Sequence, residues 1–331
     1  MKLNIVDMHC DTVSELYRKK KAGSKENLFS NRGHIDIGKL KAGGAMLQNF
    51  ALFVHMGQVE NPLEEALQMA DLYYQELEAN RESIAPVYEY ADIERNQKEG
   101  KISALLTVEE GAVCKGELAY LRILYRLGVR MMTLTWNYPN EIGYPALNVG
   151  EESLCSGEAV TEHGLTLKGR EFIAEMERIG MIIDVSHLSD EGFYDVLEST
   201  GKPLVASHSN ARTICMNRRN LTDDMIRKLA DRGGVMGLNF YPHFLTDVSQ
   251  DEPNPGTIVA ITEHAKHIIR VGGVDCLGLG SDFDGIEGHS ELPDYSFMPR
   301  LAEALKKAGL TEEEVEKVFY KNVLRVYKEL L

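Results

Sequence analysis

The sequence predicts a single (β/α)8 barrel, a TIM-like fold distorted from the regular form. Short apolar, β-rich runs alternate with helical patterns along the 331 residues, and this alternation is typical of a parallel α/β fold. Barrels of this kind commonly reach this length as one domain. A hydrophobic content of 44% is enough to fill a large core. We therefore expect one domain that spans residues 1–331.

Eight apolar runs are interpreted as strands because they are short, rich in β-branched residues and bounded by turn or helix signals. The expected strands are Asn4–His9, Ala45–His55, Ser103–Glu109, Met131–Trp136, Met181–His187, Pro203–His208, Gly234–Phe240 and Leu277–Asp282. The expected helices between them are Pro62–Ala79, Gly116–Leu127, Lys168–Ile179, Asp190–Ser199, Asp223–Asp231, Thr257–Val271 and Tyr295–Ala308, and an amphipathic helix at Glu313–Leu331 ends the chain. Ser189 and Thr222 are suitable caps for the helices that follow them.

Metal-ligand side chains mark the ends of four of these strands. The segments are Asp7-Met8-His9-Cys10-Asp11, Asp184-Val185-Ser186-His187, Ser207-His208-Ser209 and Gly280-Ser281-Asp282-Phe283-Asp284. Alternation along a strand puts His9 and Asp11 on one face, where they offer a nitrogen and an oxygen suited to zinc or a similar divalent ion. One such pair would be weak evidence, but four strand ends across the chain indicate a metal-dependent hydrolase.

The barrel interpretation makes a geometric prediction, because active sites in this fold lie at the carboxyl ends of the strands. Residues far apart in the chain should therefore converge on one mouth. Polar residues can also mark strand ends simply because the chain is reaching the surface, but that explanation accounts for only one or two of them. The residues expected to converge are His9, Asp11, Glu109, Trp136, His187, His208, Asn239 and Asp282.

The net charge of −15 argues against nucleic acid or an anionic membrane as a partner, since both require a basic surface. No stretch approaches the roughly 18 apolar residues of a membrane span. We expect no signal peptide, because Met1–Val6 run directly into the first expected strand. The five cysteines form no C-x-x-C pair and are expected to be reduced. We therefore expect a cytoplasmic enzyme.

Two of the remaining histidines follow expected strands. His55 follows the second expected strand and His243 the seventh, so either could line the mouth. The others lie in expected loops or helices and are predicted to be surface residues; they are His34, His163, His264, His267 and His289.

Six motifs occur in an order and spacing that resemble those of a known family. They are Asp7-x-His9-x-Asp11, Glu109-Glu110-Gly111, Asp184-x-Ser186-His187, Ser207-His208-Ser209, Arg218-Arg219-Asn220 and Gly280-Ser281-Asp282-Phe283-Asp284-Gly285. Together they resemble the membrane (renal) dipeptidase family, peptidase family M19, within the amidohydrolase-like barrels. The resemblance covers nearly the whole chain. It implies a binuclear zinc dipeptidase on a distorted (β/α)8 barrel, and a homodimer.

The resemblance also implies a role for each metal ligand. His9 and Asp11 would hold the first zinc, His187 and His208 the second, and Glu109 would bridge both. One carboxylate can offer an oxygen to each ion and hold the ions about 3.5–4 Å apart. Neighbouring Glu110 competes for the bridging role, although Glu109 occupies the family position.

Asp282 corresponds to the family's catalytic carboxylate, which would take a proton from a metal-bridging hydroxide or water and pass it to the leaving amine. Asp284 competes for this role on strand parity and is expected to fix the loop. Arg219 corresponds to the residue that grips the free carboxylate of the dipeptide in two parallel hydrogen bonds. Arg218 is expected to form a structural salt bridge.

The chain departs from the family pattern at Trp136, where better-studied members place a histidine near the scissile carbonyl. An indole has one N–H donor and cannot act as acid, base or metal ligand. We expect Trp136 to contact substrate and the metal centre to survive the change.

The expected function is therefore hydrolysis of unprotected dipeptides, including those with a C-terminal D-residue. One alternative is another amidohydrolase-type activity on lactones or cyclic amides, although no Lys ends an expected strand as the carboxylated bridging Lys of such enzymes would. The other is a metal-binding protein with little catalysis, if Trp136 blocks the site. The expected cofactors are two divalent ions per chain, with zinc as the metal, and the expected partners are a dipeptide and a second copy of the chain.

Overall fold

The computed structural model describes residues 3–147, 163–248, 254, 256–287 and 291–331. Cys155, which lies in residues 148–162, and His289 are outside the described residues. No helix among the described residues is both long and apolar enough to cross a membrane.

Parallel strands close into a barrel, as predicted. The strands are β1 (Ile5–Asp7), β2 (Ala45–Phe53), β3 (Ile84–Pro86), β4 (Ile102–Glu109), β5 (Val129–Thr133), β6 (Ile182–Asp184), β7 (Val205–Ala206), β8 (Val235–Leu238) and β9 (Leu277–Leu279). They pair in the order β2-β1-β9-β8-β7-β6-β5-β4, and β2 pairs with β4 to close eight strands. The short strand β3, which was not predicted, pairs in parallel with the start of β4 outside this ring.

Helices surround the barrel. They are α1 (Thr12–Lys21), α2 (Ile37–Gly43), α3 (Pro62–Ala79), α4 (Tyr90–Lys98), α5 (Leu118–Arg126), α6 (Leu167–Ile179), α7 (Asp190–Ser199), α8 (Asp223–Asp231), α9 (Pro242–Leu245), α10 (Ile258–Gly272), α11 (Met298–Lys307), α12 (Glu312–Glu316) and α13 (Asn322–Leu330). Helices α1, α2, α4 and α9 were not predicted. The predicted final helix is divided by a π-helical turn at Lys317–Lys321 between α12 and α13.

Side chains at the starts of the strands fill one end of the barrel. Val6, Leu47 and Val235 belong to one buried cluster that also includes Val323 and Tyr327 of α13. The final helix therefore packs across the amino ends of the strands. The carboxyl ends remain for the functional site, as is usual in this fold.

Candidate active site

The five predicted metal ligands converge at the carboxyl ends of the strands. Glu109, the last residue of β4, stands between them with its two carboxylate oxygens facing different histidines. Oε2 lies 3.4 Å from His9 Nε2. Oε1 lies 3.0 Å from His187 Nε2 and 3.6 Å from His208 Nε2. Asp11 Oδ2 lies 3.6 Å from His9 Nε2. The arrangement thus forms two adjacent groups of donor atoms that share one carboxylate.

The hydrogen bonds of two imidazoles fix which nitrogen faces the site. Ser207 Oγ donates to Asp184 Oδ2 at 2.5 Å, so it accepts from His208 Nδ1 at 2.8 Å. His187 Nδ1 lies 2.9 Å from Asn137 Oδ1, an oxygen that can only accept. Both Nε2 atoms therefore carry lone pairs, and they face each other at 3.0 Å. Burial lowers the pKa of both rings well below the usual value, so both are neutral.

These observations fit a divalent cation. Two lone pairs at 3.0 Å repel each other unless positive charge lies between or beside them. His9 Nε2 and Asp11 Oδ1 are also buried without a hydrogen-bond partner. Burial lowers the pKa of His9, but the carboxylates of Glu109 and Asp11 outweigh it and raise that pKa well above its usual value. The site therefore attracts positive charge and offers the nitrogen and oxygen donors that zinc prefers.

Asp282 lies beside the first group of donors. Its Oδ1 is 3.8 Å from His9 Nε2, and its Oδ2 accepts a hydrogen bond of 2.8 Å from Asn239 Nδ2. Burial raises its pKa to about 7; the charge of His9 lowers the value, and the charges of Asp11 and Glu109 raise it. A carboxyl group with such a pKa exchanges a proton readily near neutral pH.

The backbone around Asp282 is specialised for this placement. Asp282 has a left-handed conformation with φ of +63°, which is unusual for a residue other than glycine. A Cβ atom on Gly285 would lie 2.0 Å from Asp11 Oδ2 and 2.6 Å from Asp282 Oδ1. Only glycine at this position leaves room for both carboxylates.

The two competing carboxylates turn away from the metal ligands. Glu110 accepts from Asn140 Nδ2 at 2.6 Å and from the backbone N–H of Trp136 at 3.1 Å. It therefore organises the loop after β5. Asp284 accepts from the His34 N–H at 2.6 Å and holds the segment before α2. The geometry therefore favours Glu109 and Asp282 for the roles at the site.

Arg219 is a buried cation beside the second group of donors. Its Nη2 donates to the His208 carbonyl at 3.3 Å, and its guanidinium lies 5.4 Å from the centre of the Phe244 ring. Burial lowers its pKa to about 10, so it remains charged at neutral pH. Its Nε is buried without a partner, and this leaves donor capacity for an anion.

A cavity of about 440 Å³ opens onto Glu109, His187 and Asp282. The ring of Trp136 is half-buried on its wall, 4.8 Å from the Phe53 ring and 4.9 Å from the His55 ring. The cavity is lined by Asp11, Arg18, Phe53, Glu109, Trp136, Asn137, Leu147, His187, Tyr241, Phe244, Asp282, Gly285, Ile286 and Glu287. The structure therefore places Trp136 at the mouth, whereas His55 lines a neighbouring cavity behind it.

Comparison with known proteins agrees with this geometry. The chain matches the family described as membrane dipeptidase (Peptidase family M19) over residues 1–330. The chain belongs to this family. Dipeptidase tcpJ of Claviceps purpurea is 32% identical over 308 residues, which cover 90% of this chain and 69% of that protein. An uncharacterized dipeptidase of Schizosaccharomyces pombe is 32% identical, with 98% of this chain and 80% of that protein covered.

Solved structures of the M19 family share the whole fold. A dipeptidase AC, a metallopeptidase of family M19, has a TM-score of 0.89 and 28% identity over 100% of this chain and 99% of its own. A metallopeptidase from Rhodobacter sphaeroides, solved with a phosphinate mimic of the dipeptide L-Ala-D-Ala, has a TM-score of 0.90 and 26% identity, with both chains fully covered. The predicted family, barrel fold and enzyme class are thus confirmed: the M19 chain is a metal-dependent dipeptidase.

Some features of this M19 site were not predicted. Asn137 and Asn239 each follow a strand and orient a functional side chain. Asn239 was expected at the mouth, but no role was predicted for either residue. The prediction that His264 and His267 lie at the surface was wrong. Both are buried on α10, where His264 accepts from the Ala211 N–H at 3.1 Å and His267 Nε2 lies 2.7 Å from an oxygen of Asp223.

Proposed function

We propose that this M19 dipeptidase is a binuclear zinc enzyme that cleaves the amide bond of unprotected dipeptides, including those with a C-terminal D-residue. The observation that carries the proposal is the position of Glu109, whose two oxygens face different histidines. A shared carboxylate of this kind is a feature of two-metal hydrolytic sites. The three imidazoles and two carboxylates are donors suited to zinc.

His9 and Asp11 would hold one ion, His187 and His208 the other, and Glu109 would be shared. When bound, such ions supply a water activated at neutral pH and polarise the carbonyl that is attacked. Asn137 and Ser207 contribute by holding His187 and His208 in the tautomer that presents Nε2.

Asp282 would move the proton. Its Oδ1 faces the metal ligands, and Asn239 holds its other oxygen at 2.8 Å. The carboxylate takes a proton from the attacking water and gives it to the nitrogen of the leaving amino acid. A pKa raised to about 7, chiefly by burial, makes both protonation states accessible near neutral pH.

Arg219 would orient the substrate. Its free donor capacity suits the terminal carboxylate of a dipeptide, and binding at that end restricts the enzyme to short substrates. The ligand of the Rhodobacter relative, a mimic of L-Ala-D-Ala, supports acceptance of a C-terminal D-residue. Trp136 would contact the substrate near its scissile carbonyl.

The proposal is tested with a panel of L,L and L,D dipeptides, assayed with and without added zinc, together with metal analysis of active protein. We expect turnover of several unprotected dipeptides and two divalent ions per chain. A lactone and a cyclic amide serve as comparison substrates. Turnover of these compounds without dipeptide cleavage would favour the alternative activity, and one ion per chain would contradict the bridging role of Glu109.

We also propose that the enzyme works in the cytoplasm and as a homodimer. Cys10, Cys114 and Cys276 are buried free thiols, which supports a reducing compartment. The dimer follows from the family resemblance, and light scattering on the purified chain tests it by giving the mass in solution.

A further inference from the structure

Two charged side chains on the wall of the active-site cavity belong neither to the proposed ligands nor to the proton-transfer machinery. They are Arg18 and Glu287, and both line the cavity onto which Asp282 opens. Both side chains are exposed to solvent. We call the part of the cavity wall that carries these two side chains the rim. Because Arg18 is positive and Glu287 is negative, each attracts a substrate charge of the opposite sign to its own part of the rim.

Arg18 lies on α1, further along the helix than Asp11 of the first group of donors. Asp11 precedes α1, and Arg18 follows seven residues later on the same face, about 10 Å along the helix axis. Arg18 and Phe53, which ends β2, also line the neighbouring cavity. The Arg18 guanidinium lies 2.9 Å from Glu15, but 56% of the Arg18 side chain is exposed. Such an exposed ion pair is weak, so Arg18 is free to turn toward an anion in the cavity.

Glu287 stands on the other side of the rim. It follows β9 and lies near Tyr241, whose pKa is raised by burial and by the charges of Glu287 and Asp282. The Tyr241 ring lies 4.9 Å from the Phe244 ring. Phe244 in turn packs under the Arg219 guanidinium at 5.4 Å. Glu287 is therefore connected to Arg219 through Tyr241 and Phe244, two aromatic residues that line the same cavity.

The order of the strands gives the same result. Around the barrel, β7 is followed by β8, β9, β1 and β2. Arg219 follows β7, Tyr241 follows β8, Glu287 follows β9 and Arg18 follows β1. Moving away from Arg219 along the mouth, a substrate would therefore meet negative charge first and positive charge second.

We propose that this rim polarity selects dipeptides with a basic side chain on the C-terminal residue and an acidic side chain on the N-terminal residue. The inference rests on the proposed function, because Arg219 is taken to bind the terminal carboxylate and so fixes which end lies where. The C-terminal side chain then lies nearer Glu287, and the N-terminal side chain extends toward Arg18.

The test compares L-Glu-L-Lys with L-Lys-L-Glu, which contain the same atoms and the same net charge. One ion pair between the substrate and the partly exposed rim changes kcat/KM by about two- to fivefold. Two such contacts multiply, so we expect the wild-type kcat/KM to favour Glu-Lys by about 4- to 25-fold. Arg18→Gln and Glu287→Gln should each reduce this ratio. The double exchange Arg18→Glu with Glu287→Arg should invert it.

Lys19→Gln is the matched control. It removes one positive charge from the same turn of α1, and Lys19 is directed to Glu15 and Glu26, at 3.4 and 3.0 Å, rather than to the cavity. Its isomer ratio should equal that of the wild type. Because each ratio is measured within one protein, the amount of active enzyme cancels.

A wild-type ratio near one, a preference for Lys-Glu, or an equal change in the Lys19 variant would overturn the inference. Cleavage of both isomers at similar rates would leave the dipeptidase proposal intact while removing the role of the rim. If neither isomer nor L-Ala-L-Ala is cleaved, the proposed function fails and the rim inference fails with it.

Discussion

Asp7 and Asp184 make the same pair of hydrogen bonds at opposite points of the barrel mouth. Asp7, at the end of β1, accepts from the N–H and the hydroxyl of Ser281 at 2.9 and 2.6 Å. Asp184, at the end of β6, accepts from the N–H and the hydroxyl of Ser207 at 2.9 and 2.5 Å. Each carboxylate ties a strand with metal ligands to its neighbour. Asp7 joins the strand of His9 to that of Asp282, and Asp184 joins the strands of the other two histidines.

This relationship predicts that the two halves of the metal centre can be weakened separately. Asp184→Asn replaces the oxygen that holds the Ser207 hydroxyl, which in turn accepts from His208. We expect the affinity for the ion held by His187 and His208 to fall by about 10- to 100-fold, the usual effect of removing a hydrogen bond that supports a metal ligand. Asp7→Asn should weaken the other ion, held by His9 and Asp11. Isothermal titration calorimetry with zinc measures both metal affinities. Each variant is the control for the other. Equal losses at both sites in either variant would contradict the prediction.

Asp282→Asn keeps the size of the side chain and its bond to Asn239 but removes the proton acceptor. We expect kcat to fall by roughly 10²- to 10⁴-fold, the usual contribution of general acid–base catalysis, with metal content largely retained. Steady-state kinetics and metal analysis on the same sample check this. Asp284→Asn is the matched control, since Asp284 contacts His34 rather than the ligands. Near-normal activity in the Asp282 variant would show that the proton takes another route.

Arg219→Lys should raise KM markedly, because an ammonium group cannot reproduce the two parallel hydrogen bonds of a guanidinium. Converting the substrate's terminal carboxylate to an amide should harm the wild type far more than the variant. The comparison of four kcat/KM values, for two enzymes and two substrates, gives the coupling between Arg219 and the carboxylate. An equal loss in both enzymes would remove Arg219 from the substrate site.

The convergence of His9, Glu109 and His208 could be predicted from sequence, because the carboxyl ends of parallel strands share one mouth. The strand ends themselves could not. The predicted strands ran to His187 and Asp282, whereas β6 ends at Asp184 and β9 at Leu279. The φ angles of His187 and Asp282 are +66° and +63°, so neither residue can continue a strand. Contacts in the assembled site hold both residues in this left-handed conformation, and no local sequence pattern predicts that conformation.

Other differences also have physical reasons. The strand Ile84–Pro86 has three residues and ends in proline, so it offers too little alternation to be recognised. His264 was expected at the surface because it lies in a helical stretch and histidine is polar. In the structure its two ring nitrogens are satisfied by the Ala211 N–H and, at 3.0 Å, by the Leu245 carbonyl. A histidine with both nitrogens paired can be buried, but that pairing depends on residues distant in the chain.

The burial of His264 predicts a loss of stability in acid. Burial lowers its pKa from 6.5 to about 4 in the folded protein. The unfolded chain therefore binds a proton first as pH falls, and the free energy of unfolding decreases between pH 6.5 and about 4. The decrease attributable to this residue is about 3 kcal/mol, at about 1.4 kcal/mol per pKa unit. Urea unfolding of the wild type and His264→Gln across this range measures the difference, with the exposed His163→Gln as control. Parallel pH profiles for all three proteins would contradict the assignment.

The last prediction concerns Trp136, whose ring lies on the cavity wall 6.2 Å from the His187 ring. A flat indole at this place narrows the pocket and can offer one N–H to a carbonyl oxygen, the single donor that a neutral histidine would supply, but without titrating. We therefore expect dipeptidase activity with no pH dependence that arises from this position. Trp136→His should retain the metals and change kcat/KM unevenly across the dipeptide panel, by about 10-fold between the most and least affected substrates. Trp136→Phe keeps an aromatic ring on the wall but removes the N–H donor and part of the ring area. Unchanged kinetics over the whole panel in the Phe variant would show that Trp136 does not donate to substrate, and unchanged kinetics in both variants would remove it from the substrate site.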